Sequence, residues 1–347
     1  MNKKYLIIHI INNLSLGGAQ KLVSDLIIES KKEFELAVIV LNSSNGLFDE
    51  VIKKENIQIV SLFPLSIKNI YKIIKYLKLA DLIHVHLFPL LYICSIIPGK
   101  KVFTEHNTWN RRRELKVLRK IEKKIYKNYD GIISISNKTR DTLSDWLDGI
   151  PTKYSPVIYN GINLKKFSCK PIGKHEYTIG MMGTFSAQKD QETILRALKL
   201  LPQKFTATFA GDGELQEKLM GLSKTLKIDD RVKFLGRIID VDDYLNSIDV
   251  YVQSSNWEGF GLAPLEAMAK RIPTIGSNVI GLDEVIGSNR YLFKKNNPEE
   301  LVRLIKYIFS KREFYVKAQK YSYSRSQEFS IDDTNSAYSR LYRHIIK

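Results

Sequence analysis

Short apolar runs recur along the whole chain, and each is followed by a stretch with helical spacing. The series begins with Tyr5–Ile11 and starts again at Thr178–Met182 in the second half. Continuous apolar runs of this length are typical of strands that are buried on both faces of a parallel sheet. Their alternation with helices therefore predicts doubly wound α/β domains.

A turn-rich patch, Asn160–Asn163, interrupts the series and is followed by a polar stretch over residues 165–176. A chain of 347 residues is long enough for two domains. We therefore predict an N-terminal domain over residues 1–163 and a second domain over residues 164–325. Doubly wound domains bind ligands at the carboxyl ends of their strands, so a cleft between the two is the expected site.

The composition favours a soluble protein of the cytoplasm. The chain carries 54 basic and 37 acidic residues, a net charge of +17. This charge suits an anionic membrane surface or nucleic acid, although solubility alone explains it equally well. Nucleic acid is disfavoured because the sequence lacks an aromatic-rich RNA motif and zinc spacing. Cys94 and Cys169 are typical of thiols in a reducing compartment.

Neither a signal peptide nor a membrane span is predicted. The apolar run Tyr5–Ile11 is too short for a signal peptide and lacks a small-residue cleavage site after it. The uncharged segment Leu82–Gly99 contains prolines and histidines, which favour a strand, a loop and a buried helix. Any work at a membrane is therefore expected to take place from its surface.

Two glutamates separated by seven residues, Glu258 and Glu266, bracket a segment between an apolar run, Val250–Gln253, and a helix-like stretch. Helix N-termini bind phosphate through their free N–H groups. A carboxylate accepts hydrogen bonds from sugar hydroxyls. The combination suggests a ligand with both groups, namely a nucleotide sugar.

Other loops at predicted strand ends carry weaker signals. Gly17–Gly18 allows either close approach to a phosphate or a plain strand-to-helix turn. Lys189, in the loop that begins at Gly183, favours diphosphate binding over a solvated surface lysine. Gly211–Glu214 is better explained as a structural turn, and the backbone after Gly236 either meets a base or forms a plain turn.

Together these segments resemble glycosyltransferase family 4, the retaining nucleotide-sugar transferases of the GT-B fold. The resemblance covers essentially the whole chain, and its most specific part is the E-x7-E signature formed by Glu258 and Glu266. The matching segments are, in chain order, Gly17–Gln20, Thr104–His106, Ser134–Ser136, Tyr159–Asn163, Gly183–Lys189, Ala210–Gly213, Phe234–Gly236 and Glu258–Ala269. The resemblance implies two Rossmann-like domains that face each other across a cleft. It also implies that a C-terminal helix, placed at residues 326–347, crosses back to the N-terminal domain.

The resemblance assigns a role to several residues. Three are implied to be catalytic: Glu258 near the donor sugar and its anomeric carbon, Lys189 at the diphosphate leaving group, and His106 facing the donor sugar. For His106, a hydrogen-bonded histidine at a strand end is the alternative. Glu266 is implied to accept hydrogen bonds from the ribose. The donor-binding set is Gly17, Gly18, Gly183, Thr184, Lys189, Arg237, Glu258, Gly259, Phe260, Gly261, Leu262 and Glu266.

One position departs from the family pattern. Members commonly carry an arginine directly after the first glycine of the loop at Gly183, whereas this chain has Thr184. Stabilisation of the leaving group is therefore expected to depend more heavily on Lys189, helix N–H groups and Arg237. Several donors can supply such electrostatic stabilisation, so the family assignment is not refuted.

A basic stretch over residues 111–127 follows His106 and has nine basic residues against two acidic ones. Leu115, Leu118, Ile121 and Ile125 lie on one predicted helical face. Such a helix suits anionic lipid headgroups or a lipid-diphosphate acceptor, and a solvated helix packed on its own sheet is the alternative. The residues predicted to contact membrane or acceptor are Arg111, Arg112, Arg113, Lys116, Arg119, Lys120, Lys123 and Lys124.

The predicted activity is transfer of a hexose, with retention, from a nucleotide diphosphate sugar to a hydroxyl. UDP- or GDP-sugars are the expected donors, and a lipid-linked saccharide in O-antigen, capsule or similar surface polysaccharide assembly is the expected acceptor. No cofactor and no metal are expected, because no Asp-x-Asp occurs at a predicted strand end. The enzyme is expected in the cytoplasm, peripheral on the inner face of the cell membrane.

Three alternatives remain open from the sequence. Thr184 favours a sugar-nucleotide-binding protein without catalysis. A nucleotide-sugar epimerase of the same fold fits the segment around Glu258 less well. A nicotinamide-dependent dehydrogenase needs GxGxxG after the first strand, whereas the loop has Gly17-Gly18-Ala19.

Overall fold

A computed structural model describes residues 4–15, 17–42, 46–63, 66–171, 176–238 and 240–347. Within these ranges, the side chains of Leu47, Ile67, Lys68, Asn69, Ile70, Lys72 and Arg111 lie outside the described part. The chain divides into two compact units. The first unit is Met1–Ile162 with Ser330–Lys347, and the second unit is Asn163–Phe329.

The first unit is built on a six-stranded parallel sheet in the order β3-β2-β1-β4-β5-β6. Its strands are β1 Leu6–Ile11, β2 Glu35–Val40, β3 Gln58–Ser61, β4 Leu82–His86, β5 Lys101–Glu105 and β6 Gly131–Ser134. The connecting helices are α1 Gly18–Ser30, α2 Leu47–Lys54, α3 Ile67–Leu79, α4 Leu90–Ser95, α5 Lys116–Tyr126 and α6 Asn137–Leu147. The strand order reverses between β1 and β4, which is the position where doubly wound sheets bind ligands.

The second unit repeats this architecture with the order β12-β11-β10-β7-β8-β9. Its strands are β7 Thr178–Met182, β8 Thr206–Ala210, β9 Val232–Phe234, β10 Val250–Gln253, β11 Thr274–Ser277 and β12 Leu292–Phe293. Its helices are α7 Gln191–Leu200, α8 Gln216–Thr225, α9 Val241–Asn246, α10 Leu262–Ala269, α11 Leu282–Ile286, α12 Pro298–Ser310 and α13 Arg312–Ser326. Here β7 and β10 flank the reversal, so the loops after these two strands meet at one edge of the sheet.

The last helix, α14 Ile331–Ile346, belongs to the first unit, where Tyr338 and Tyr342 join its core. It begins later than the predicted residue 326. Ser326 still belongs to α13, and the Ser330 hydroxyl caps the new helix by accepting a hydrogen bond from the Asp332 N–H at 3.1 Å. The helical spacing of the last residues predicts a helix but not the separate cap that starts it.

Strand β1 contributes to cores on both faces of the first sheet, as its continuous apolar run predicts. Ile7 and Ile11 belong to the same core as Tyr342 of α14, while Ile8 and Ile10 belong to a core that includes residues of α4 and α5. Because side chains alternate along a strand, His9 lies on the same face as Ile7 and therefore faces α14. Within the described ranges, no helix combines the length and the apolar character needed to cross a bilayer.

Candidate active site

Lys189 and Glu258 meet at the carboxyl edge of the sheet in the second unit. Lys189 lies in the loop between β7 and α7, and Glu258 lies between β10 and α10. The two strands are neighbours and parallel, so their following loops emerge side by side. The Lys189 ammonium donates a hydrogen bond to Glu258 Oε1. The structure thus brings together two of the three predicted catalytic residues.

Glu258 is buried and held by side chains of its own strand end. Its Oε1 also accepts hydrogen bonds from Ser255 Oγ at 2.8 Å and from Gln253 Nε2 at 3.1 Å. Gln253 is fixed in turn, because its Oε1 accepts a hydrogen bond from the buried Tyr251 hydroxyl at 2.8 Å. The carboxylate is therefore oriented before any ligand arrives, and Lys189 is the more exposed partner of the pair.

Sequence reasoning missed Gln253 and Ser255, although a signal for them is present. Both are buried polar residues at the end of the apolar run that leads into Glu258. Burial of a polar group is unfavourable unless the group is hydrogen-bonded, so such residues indicate a partner. Gly281 was also missed. Its φ is +90°, and a Cβ there would lie 2.5 Å from the Glu258 carbonyl oxygen. The loop after β11 therefore packs directly on the backbone of Glu258.

Gly261 is the N-cap of α10 and has a φ of +111°, a backbone conformation that favours glycine. The helix begins at Leu262 and buries Glu266 on its inner side. Phe260 is a packing residue, since its buried ring contacts the Phe329 ring edge-on with centroids 5.5 Å apart. Of this segment, the backbone from Gly259 to Leu262 remains the part suited to bind an anion.

Thr184 and Arg237 occupy more exposed positions on the same sheet edge. Thr184 is exposed, and its carbonyl accepts a hydrogen bond from Gln191 Nε2 at 3.2 Å. Arg237 Nε donates to Asp212 Oδ2 at 2.6 Å, and both side chains remain largely accessible. Among the contacts of the described residues, none joins Thr184 or Arg237 to Glu258. The Gly183 loop packs closely on Gly211, where a Cβ would overlap the Gly183 carbonyl oxygen.

The glycine pair of the first unit lies at the start of α1. Gly17 is the N-cap and Gly18 is the first helical residue, and the Gly17 carbonyl accepts a hydrogen bond from the Lys21 N–H at 2.9 Å. The nearest atoms to a Cβ on Gly17 would be those of the Gln20 side-chain amide. This geometry fits both a strand-to-helix turn and an anion site, so the donor-binding role of this pair stays a prediction.

His106 lies in the first unit, directly after β5, and is 7% exposed. Its Nε2 is 3.1 Å from His86 Nδ1, and His86 Nε2 is 3.2 Å from His9 Nδ1. Burial lowers the pKa of His106 to about 4 and that of His9 to about 3. His106 is therefore a neutral imidazole at the end of a hydrogen-bonded row rather than an isolated strand-end histidine.

Three arginines of the basic stretch bind partners within the protein. Arg112 pairs with the buried Glu122 at 3.1 Å, and Arg113 pairs with the buried Glu105 at 3.2 Å. Arg119 donates to the Trp146 carbonyl at 2.6 Å. The physical reason is that a buried carboxylate needs a counter-charge or hydrogen-bond donors. These arginines are consequently less available to a lipid headgroup than the sequence suggests.

The remaining cations of the stretch divide by exposure. Lys116, Lys120 and Lys124 are exposed, whereas Lys123 lies 3.9 Å from Asp148. The side chain of Arg111 lies outside the described residues. Among the described side chains of this stretch, the exposed cations are therefore lysines.

The apolar face of α5 was predicted to contain Leu115, Leu118, Ile121 and Ile125. The structure instead buries Glu122 and Tyr126, while Leu115 and Ile121 are exposed and the other two are half-buried. Glu122 tolerates burial because it accepts hydrogen bonds from the Tyr92 hydroxyl at 2.5 Å and from Trp146 Nε1 at 2.6 Å, in addition to its arginine. Apolar side chains of this helix therefore face solvent.

The sequence of residues 165–325 matches the profile described as glycosyl transferases group 1, and that of residues 16–166 matches glycosyltransferase family 4. The two matches adjoin and follow the two units. The chain belongs to glycosyltransferase family 4.

Relatives of similar length occur among bacterial enzymes of polysaccharide synthesis. The O-antigen biosynthesis glycosyltransferase WclY of Escherichia coli is 23% identical, over 98% of this chain and 99% of WclY. The capsular polysaccharide biosynthesis glycosyltransferase CapH of Staphylococcus aureus is 24% identical, over 97% of this chain and 98% of CapH.

Solved structures confirm the fold of this glycosyltransferase. HepE of Anabaena, crystallised with UDP and glucose, has a TM-score of 0.86 to this chain at 18% identity. The match covers 98% of this chain and 100% of HepE. With two parallel six-stranded sheets, the chain has the two-domain GT-B fold that the resemblance predicted.

Proposed function

We propose that this glycosyltransferase moves a sugar from a nucleotide diphosphate sugar to a hydroxyl of a saccharide acceptor, with retention, during assembly of a bacterial surface polysaccharide. The observation that carries the proposal is the Lys189–Glu258 pair beside the N-terminus of α10. The names of WclY and CapH support a surface polysaccharide as the product. The UDP bound to HepE makes UDP-sugars the first donors to test.

In this proposal Lys189 exchanges partners when the donor binds. Its ammonium leaves Glu258 for the diphosphate, where it stabilises the leaving group together with the free N–H groups at the start of α10. Glu258 keeps the hydrogen bonds from Gln253 and Ser255, so it stays oriented. Its negative charge then stabilises the positive charge that develops at the anomeric carbon. Retention follows if the acceptor attacks on the face that the nucleotide leaves.

No metal is required by this mechanism, because the lysine and the helix N–H groups supply the positive charge. The absence of the family's arginine at Thr184 increases the dependence on Lys189. We therefore expect transfer to continue in the presence of a chelator and to depend steeply on this lysine. Activity that chelation abolishes and Mg²⁺ or Mn²⁺ restores would contradict this part of the proposal.

The first experiment is a thermal-shift screen of UDP- and GDP-sugars. A ligand at 100 times its dissociation constant stabilises the fold by about 2.7 kcal/mol, which is easily detected. The stabilising donor is then used in a transfer assay, and NMR of the product reads the anomeric configuration. An inverted product would overturn retention. Binding with neither transfer nor hydrolysis would instead support the sugar-nucleotide-binding protein that Thr184 favours.

Matched substitutions test the site itself. We expect Lys189→Met and Glu258→Gln to lower kcat by about 100-fold or more, as loss of a preorganised charge partner does in other enzymes. Lys199→Met and Glu299→Gln are the controls, since both residues are exposed in the same unit. The site assignment fails if the first pair retains wild-type rates with the true donor.

We also propose that the first unit binds an anionic membrane through α4 and α5. Exposed apolar residues lie on both helices or beside them, with Val117 71% and Ile96 84% exposed. Four more exposed apolar residues of this surface are Ile93, Trp109, Leu115 and Ile121, and its exposed lysines are Lys116, Lys120 and Lys124. The two helices are joined by the hydrogen bond from Tyr92 to Glu122. Apolar side chains interleaved with lysine suit insertion at the headgroup level.

Vesicle flotation tests this surface. Each lysine near an anionic surface contributes about 1 kcal/mol, so Lys116→Glu, Lys120→Glu and Lys124→Glu together should weaken binding to phosphatidylglycerol vesicles by on the order of 100-fold. The same reversal at three exposed lysines of the second unit is the control: Lys199, Lys224 and Lys320. Equal losses in both triple variants would show only a general effect of net charge and would refute the surface. Binding to neutral vesicles should be weak for both.

A further inference from the structure

Four histidines lie side by side inside the first unit. His9 is on β1, His84 and His86 are on β4, and His106 follows β5; none is more than 7% exposed. The register of the sheet causes this arrangement, because β1 and β4 pair with His9 opposite His84. His86 lies two residues further along β4 and so on the same face. Three separate strands therefore deliver imidazole rings to one place.

Three of the rings form a hydrogen-bonded row. His9 Nδ1 is 3.2 Å from His86 Nε2, and His86 Nδ1 is 3.1 Å from His106 Nε2. Each of these contacts needs one N–H donor and one lone pair. A neutral imidazole carries a single N–H, on one nitrogen or the other. Burial lowers the pKa of all three rings, so each is neutral near pH 7. The row then has only two possible arrangements of its hydrogens.

In the first arrangement His9 donates from Nδ1 to His86, and His86 donates from Nδ1 to His106. The hydrogen of His106 must then be on its own Nδ1. In the second arrangement every hydrogen bond is reversed, so the hydrogen of His106 is on Nε2 and that of His9 is on its Nε2. The end of the row at His9 decides between the two.

His9 Nε2 is buried and has no hydrogen-bond partner among the described residues. The second arrangement would place an N–H there, and an orphaned buried donor is among the rarest features of folded proteins. The first arrangement leaves only a lone pair at that position. It is also the arrangement in which Nδ1 of His106, which has no partner in the described part of the chain, carries a hydrogen to donate.

We propose that His9 and His86 are positioning residues that hold His106 as a neutral imidazole with its hydrogen on Nδ1. His106 then offers a hydrogen-bond donor to an oxygen of the sugar substrate and cannot serve as a general base through that nitrogen. This inference deepens the proposed function and rests on it for the identity of the ligand. The tautomer itself depends only on the row of rings.

A metal ion is the competing explanation for this cluster. One nitrogen from each of His9, His84 and His86 lies within 4.8 Å of the others. Ligands of one zinc ion lie roughly 3.4 Å apart, since each is about 2.0–2.1 Å from the metal. His84, however, already uses both nitrogens, at 2.7 Å from Thr104 Oγ1 and at 2.6 Å from the Tyr342 hydroxyl. A metal would have to break one of these buried hydrogen bonds, so the hydrogen-bonded row is the better explanation.

The direct test is ¹⁵N NMR of the full chain labelled at histidine and deuterated elsewhere. Long-range ¹H–¹⁵N correlations distinguish a protonated from an unprotonated ring nitrogen, and His106→Asn assigns the signals of His106. We expect a pyrrole-type Nδ1 and a pyridine-type Nε2 for His106, the reverse of the tautomer that histidine favours in water. A hydrogen on Nε2 would overturn the inference whatever the activity of the enzyme. Stoichiometric zinc in the purified protein would overturn it as well.

Coupling between substitutions provides a second test. His86→Leu breaks the row and should lower kcat/KM about tenfold, the effect of one lost hydrogen bond. His106→Asn removes the ring that His86 orients and should itself lower kcat/KM by about tenfold. In that background His86→Leu should have little further effect, because its action passes through the ring of His106. A tenfold loss in both backgrounds would mean that His86 is merely structural and would overturn the inference.

If the proposed function is wrong, the experiments give a different set of results from those expected if the inference about His106 is wrong. If Lys189→Met and Glu258→Gln retain transfer, the donor site is wrong, while the NMR result for His106 stands on its own. His344→Gln is the control for loss of a histidine, since His344 is exposed on α14. Should His86→Leu fail to fold, the NMR measurement on the unsubstituted chain still decides the tautomer.

Discussion

The buried histidines should make the first unit sensitive to mild acid. In the unfolded chain each histidine titrates near pH 6.5, whereas burial lowers the pKa of His9 to about 3 and that of His106 to about 4. Between these limits the unfolded chain binds protons that the folded chain excludes. Stability is therefore complete above about pH 6.5 and is lost as the pH falls below it.

The size of this loss of stability follows from the linkage between proton binding and folding. Between pH 7 and pH 5, a histidine that stays neutral in the fold and charges when unfolded costs about 2 kcal/mol of unfolding free energy. His9 and His106 together therefore account for about 4 kcal/mol. Burial lowers the pKa of His84 and His86 in the same direction. A typical domain has only about 5–15 kcal/mol of stability, so the first unit should approach its unfolding limit near pH 5.

Urea unfolding at several pH values measures this effect in the first unit alone. Trp109 and Trp146 lie in the first unit and Trp257 lies in the second, so Trp257→Phe confines the fluorescence signal to the first. We expect the midpoint to fall steadily from pH 7 to pH 5. In His106→Gln the slope near pH 5.5 should shrink by about 1.4 kcal/mol per pH unit, the contribution of one proton.

Three results would refute the reasoning. If the unfolding free energy of the first unit is flat between pH 7 and pH 5, the row is charged or solvated in the fold. If His106→Gln leaves the slope unchanged, the acid sensitivity has another origin. His344→Gln, at an exposed position of α14, is the control: a slope that falls as much there as in His106→Gln would also refute the reasoning.

Further substitutions probe the packing around each site. Gly281→Ala should lower the unfolding free energy of the second unit by about 1–3 kcal/mol and weaken donor binding in thermal shift, because its φ is positive and its Cβ would press on the Glu258 carbonyl. Gly221→Ala, in an open position on α8, should instead stabilise by about 0.5–1 kcal/mol. Glu122→Gln should cost about 3–5 kcal/mol in urea unfolding of the first unit, because it leaves the charge of Arg112 uncompensated. A cost below about 1 kcal/mol would show that this arginine reaches solvent.

Periodicity alone predicts the two sheets, because strands buried on both faces must be continuous apolar runs. The segment from Glu258 to Glu266 predicts the family, and the matching profiles confirm it. The pairing of the arginines could not be foreseen. Arg112 and Glu122 are ten positions apart across a turn and the start of α5, which does not put them on one helical face. Their contact depends on how the short turn Arg111–Glu114 folds against α5, and no local pattern encodes that.

The buried histidines show how sequence could predict more of such contacts. His84 and His86 are polar residues in a strand that is otherwise apolar, and such a strand gains nothing from a polar group unless it has a partner. His9 interrupts the run of β1 in the same way. Once the strand order is known, these positions fall opposite one another. In the second unit Gln253 ends β10 and orients Glu258 by the same logic. A polar residue inside a strand that is buried on both faces is therefore a pointer to an oriented group at the end of that strand or its neighbour.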